Sequence, residues 1–178
     1  APIAVTASSL EEALSMAEEQ CLVTHTTDIA ITGAKAIAAA VYLAKEGIRN
    51  GKSDTVIKNE IKTYVEKNFG YDLNMSLEDI QRRSENLARQ REEFRRTGVA
   101  TEGYMNMSNA ALSCPMAIMA FLMGNNFEES LRYSMAMLGD SDSIACMAGS
   151  ISAQVYGIPQ QLVEDALVYL PIEMVDVL

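Results

Sequence analysis

The sequence predicts an all-α fold, and three observations carry that expectation. Apolar residues recur at intervals of three and four along most of the chain. No window sustains the alternation of a half-buried strand. Ser, Asp or Asn stands ahead of most of the periodic segments, where a helix cap belongs. At 178 residues the chain is long enough for one core, and no repeat or low-complexity tract divides it, so residues 1–178 are expected to form a single domain.

The first helix is expected to start at Ser9, with Ser9 and Glu12 as a capping box and Leu10, Ala13, Leu14, Ala17, Cys21 and Leu22 as its buried stripe. Asp28 is the expected cap of a second helix running to Gly47. Its small residues, among them Ala30, Gly33, Ala34, Ala38 and Ala40, permit close approach of neighbours and make it the expected central helix. Ser53 opens a third that closes at Gly70, and Ser76 with Asp79 opens a fourth reaching Arg96. Between Thr97 and Ser108 the periodicity lapses around Gly98 and Gly103, which predicts a loop. A helix containing Pro115 follows to Met123, then one capped by Asn126 to Leu138, then one after Gly139 ending at Gly157. Pro159 and Pro171 suit the starts of two short terminal helices.

The charge balance of 14 Lys+Arg against 24 Asp+Glu gives −10, which repels nucleic acid and anionic lipid. Arg82, Arg83, Arg89, Arg91, Arg95 and Arg96 cluster, but Glu85, Glu92 and Glu93 interleave with them, as on a solvated helix face. Cys21, Cys114 and Cys146 form neither a disulfide framework nor a CxxC pair, and are expected to be buried thiols in a reducing cytoplasm. No run reaches the roughly 18 apolar residues of a membrane span, so no membrane partner is expected.

Gly139-Asp140-Ser141-Asp142-Ser143 is the most informative stretch. Two carboxylates two residues apart, with a hydroxyl beside the second, are hard oxygen donors suited to Mg²⁺, Mn²⁺ or Ca²⁺. One Asp or Ser would suffice to cap the helix that follows, so capping and metal binding both stand at this point. An EF-hand is a poor fit, because its sixth and twelfth positions would be Ala145 and Ile151 rather than Gly and Glu. The motif also resembles the first motif of haloacid dehalogenase-like phosphatases. That reading requires a preceding strand and a later Lys, whereas the residues before Gly139 have helical spacing and no Lys follows Ser143.

Asp140 to Gly157, reading DSDSIACMAGSISAQVYG, resembles the signature helix of ADP-ribosylglycohydrolases of the dinitrogenase reductase-activating type. Thr24-His25 with Ile31 to Ala36, Gly103-Tyr104, Ala110 to Leu122 and Asn126 to Ser130 resemble other family segments in order and spacing. The resemblance implies an orthogonal helical bundle, and it makes Asp140, Asp142 and Ser143 ligands of a two-metal Mg²⁺ or Mn²⁺ centre, with His25 and Tyr104 as substrate-binding residues. It implies a hydrolase that removes ADP-ribose from a modified protein or small molecule, with metals about 3.5–4 Å apart activating a water; with two of the carboxylates present, this chain alone is expected to hold a single weakly bound ion or none, and to be inactive by itself. No catalytic base is assigned by it. The family's Gly-Asp-Ala-Leu-Gly and Thr-Asp-Asp-Thr type motifs do not occur in this sequence, so the resemblance is to the C-terminal half of the family domain, a partial bundle. The expected partners are therefore an ADP-ribosylated substrate and either an N-terminal portion or a second copy of this chain. A non-catalytic module that binds ADP-ribose-like ligands or a protein is the alternative expectation.

Overall fold

A computed structural model describes residues 2–99 and 109–175. These form ten helices and no strand: α1 (Pro2–Thr6), α2 (Leu10–Leu22), α3 (Asp28–Arg49), α4 (Asp54–Phe69), α5 (Leu77–Thr97), α6 (Ala110–Met123), α7 (Phe127–Ala136), α8 (Ser141–Tyr156), α9 (Gln160–Leu167) and α10 (Ile172–Val175). The absence of a sheet among the described residues overturns the phosphatase reading, whose nucleophile would need a strand to carry it. No described helix is long and apolar enough to cross a membrane.

Small residues place α3 at the centre. Ala36, Ala39, Ala40, Val41 and Ala44 are all 0% exposed, and α3 packs against α1, α2, α4, α6 and α8. Gly33 shows why a small residue is needed: a Cβ there would lie 2.8 Å from the Ala110 Cβ and 2.9 Å from the Cys114 Sγ of α6. α6 is apolar on every side and correspondingly enclosed, with Ile118 and Phe121 fully buried. Against it lie α7 and α8, whose Ile144 and Ile151 are also fully buried, each such side chain contributing about 1.5–3 kcal/mol.

The predicted caps form at Ser9, Ser53, Ser76 and Asn126, and Gly70 ends α4 in the left-handed region. Other expectations are corrected. Thr27, not Asp28, caps α3: its side chain accepts from the Ala30 amide, and Asp28 becomes the acidic first residue of the helix. Glu12 accepts from the Ser8 amide at 2.7 Å, one residue earlier than the box at Ser9 requires. Leu22 is 46% exposed, so the α2 stripe is buried only at Ala13 and Ala17. Of the cysteines Cys114 alone is buried, Cys21 is half-buried and Cys146 is exposed. α1 is held by Lys45, whose ammonium donates to the carbonyls of Ala4, Val5 and Ala7.

Candidate functional site

The turn between α7 and α8 leads into the Asp-Ser-Asp-Ser run, with Asp140 at the cap position and Ser141, Asp142 and Ser143 in the first turn of α8. Met137 and Ile144 are 0% exposed on either side of it, which pins both of its ends to the core. Between them Leu138 and Gly139 both adopt positive φ, 63° and 89°. A left-handed Leu is costly, because its Cβ crowds the following carbonyl, so the turn is held there by its surroundings.

Asp140 occupies the cap position of α8 but makes no side-chain capping bond, unlike Ser9, Thr27, Ser53, Ser76, Asn109 and Asn126 at the other long helices. The Ser143 amide holds the Asp142 carboxyl below its ordinary range, with help from the Asp140 side chain and its own amide. Asp142 and Ser143 are exposed, and Asp140 is half-buried.

Asp140 and Ser143 line a cavity of about 350 Å³ whose other walls include Gly33 and Ala34 of α3, Ala110 and Cys114 of α6, and Met147 of α8. Asp142 is not part of that lining. The same Ala110 also walls an adjoining concavity of about 410 Å³ that contains His25, Thr27, Ile29 and Asn109. The N-terminal parts of α3, α6 and α8 therefore meet around two neighbouring hollows, one carrying the carboxylate and the other the histidine. His25 is exposed; its Nδ1 lies 2.8 Å from the Thr24 hydroxyl, and its amide donates to the Cys21 carbonyl at 2.8 Å. The Thr24 contact engages the Nδ1 side of the ring. Tyr104 lies outside the described residues. No group of three or more His, Cys, Asp or Glu side chains gathers as a metal cage among the described residues.

A family model described as ADP-ribosylglycohydrolase matches residues 1–171. The chain belongs to the ADP-ribosylglycohydrolase family. As a family member it is also similar to a protein of Archaeoglobus fulgidus described as uncharacterized, being 34% identical to it over 149 residues. That stretch is 83% of this chain and 44% of the relative, so the chain spans less than half the relative's length. The family match and the described residues agree on an all-helical fold of the glycohydrolase type.

Two features of the site were not expected. Asn109 caps α6, its Oδ1 accepting from the Ala111 amide at 2.9 Å, and it borders the His25 hollow. Its cap propensity next to Ser108 was the available signal. Ser84 and Gln81 of α5 reach the α7–α8 turn, and no local pattern marks them, because a Ser or Gln at helical spacing reads equally well as a solvated residue.

Proposed function

We propose that Asp140, Asp142 and Ser143 contribute to a divalent-metal site, for Mg²⁺ or Mn²⁺, in a hydrolase that releases ADP-ribose from a modified protein or small molecule. The observation that carries this reading is Asp140 at the α8 start, lining the cavity and making no capping bond, with a second carboxylate, Asp142, two residues on. Carboxylates two residues apart at the start of one helix are hard oxygen donors, and a divalent cation held there would neutralise their charge. The donor set fits one Mg²⁺ or Mn²⁺ that keeps several waters; a two-metal centre needs carboxylates from beyond the described residues. When bound, such an ion supplies positive charge and brings the pKa of a coordinated water toward neutrality.

The remaining roles fall to this chain's own residues. Asp140 holds charge at the cavity wall, Asp142 adds a second carboxylate outside that lining, and the Ser143 hydroxyl adds a neutral oxygen. The cavity walls at Gly33, Ala34 and Ala110 bring no bulk to the space beside Asp140, which leaves room for part of a sugar. In this reading His25 offers Nε2 to a ribose hydroxyl or a phosphate, and Tyr104 serves the adenine or ribose. The setting is a reducing cytoplasm, in keeping with three free thiols.

A second reading, a module that binds ADP-ribose without cleaving it, is favoured by the lack of a three-carboxylate or histidine cage among the described residues. Calorimetry with ADP-ribose, with and without Mn²⁺, together with release of ADP-ribose from an ADP-ribosylarginine peptide, separates the two. The hydrolase reading predicts binding strengthened by Mn²⁺ and metal-dependent release, both lost in Asp140→Ala. Binding indifferent to metal, and unchanged in Asp140→Ala, supports the module and removes the metal-site reading.

A further inference from the structure

We infer that Ser84 and Gln81 of α5 are positioning residues for the Asp140–Ser143 turn. Ser84 is 1% exposed, and its hydroxyl donates to the Met137 carbonyl at 2.8 Å. Gln81, one turn earlier on the same face, donates through Nε2 to the Ala136 carbonyl at 2.7 Å. These are the carbonyls of the last residue of α7 and of its C-cap, which have no partner within their own helix. Only Leu138 and Gly139 separate Met137 from Asp140, so the direction of the Met137 carbonyl sets the path of the chain into α8.

That path is a costly one. Leu138 has φ 63°, and its side chain is 42% exposed, so its own contacts do little to hold it. The hold comes from anchors on either side: Ile144 buried in the core, and Met137 buried with its carbonyl taken by Ser84. α5 is polar along most of its length, with every residue from Arg91 to Val99 exposed, and its buried residues are Ile80, Ser84 and Leu87. The α5 face that packs inward is thus the one that delivers two donors to this turn. That the turn carries metal ligands rests on the reading proposed above; that α5 fixes its shape does not.

The test compares wild type, Ser84→Ala, Ser84→Thr and Ser130→Ala by amide hydrogen exchange and by Mn²⁺ titration. Ser130 is a second fully buried serine, bonded to Ser152 between α7 and α8, and it controls for general destabilisation. Ser84→Ala should speed exchange across residues 138–144 by about tenfold more than in α4, because a buried carbonyl loses its donor. It should weaken Mn²⁺ binding by about tenfold, the lower end of what supporting partners of metal ligands contribute. Ser84→Thr, which keeps the hydroxyl, should restore both, and Ser130→Ala should change neither selectively. Exchange in the turn that rises no more than in α4, or that rises equally in Ser130→Ala, overturns the inference. Selective loosening of the turn in a protein that binds no Mn²⁺ even as wild type sustains the positioning role and removes the metal reading instead.

Discussion

Cys114 sits where α6 presses on α3, its sulfur 3.9 Å from the Met147 sulfur and close under Gly33. Burial pushes its thiol up to about 11 from an ordinary 9.0. The folded state therefore binds this proton more tightly than the unfolded chain. The resulting stability is complete below pH 9.0 and is lost as pH rises toward about 11. Iodoacetamide at pH 8 should modify exposed Cys146 first and Cys21 more slowly, and should reach Cys114 only in denaturant; mass spectrometry of the peptides reads the order. Rapid labelling of Cys114 in the native protein would contradict the burial. At this scale the sequence was only partly legible. The three cysteines look alike in apolar surroundings, and which one is buried depends on which helix face meets another helix. Ser84 was hidden for the same reason: its value lies in a carbonyl 53 residues away.

Among the elements, caps were the most legible feature, because an N-cap side chain satisfies amides two or three residues on and needs no tertiary partner. The error at Asp28 is instructive. Thr27 and Asp28 both suit a helix start, and the backbone places Thr27 in the extended conformation that a cap requires. α1, five residues long, is too short to show a period and is held by Lys45 from another helix. Two substitutions test the close contacts. Gly33→Ala should cost about 1–3 kcal/mol in urea unfolding, since the new methyl meets Ala110 and Cys114 with no room to retreat. Gly139→Ala should cost about 1–2 kcal/mol, from placing a Cβ at a left-handed position. It should also disturb Asp140 directly, whereas Gly33→Ala acts first on the α3–α6 contact.

Over the whole molecule, the central bundle was readable because the small residues of α3 and the all-round apolar character of α6 leave few arrangements. The surface was less so. From Gly157 to Val175 no residue is buried, although Ile158, Val168, Tyr169, Leu170, Ile172 and Met174 are large and apolar. Leu22, Val23 and Ile29 add exposed apolar area at the His25 end of the bundle. We expect this surface to be covered by a further family segment or by a second copy. Sedimentation velocity of the chain alone should therefore show association that grows with concentration, and a strictly monomeric species at high concentration would count against it.

The claim on which the functional reading turns is that Asp142 serves an ion more than the fold. Its exposure and its place outside the core predict that Asp142→Ala keeps the helical circular dichroism spectrum of the wild type, with only a small drop in melting temperature from loss of the Ser143 amide contact. Mn²⁺ calorimetry on the two proteins is the direct measurement. Binding by the wild type that disappears in a fully helical Asp142→Ala protein is the predicted result. Metal affinity unchanged by the substitution, or unfolding of Asp142→Ala in metal-free buffer, would show instead that the carboxylate belongs to the structure of the helix end.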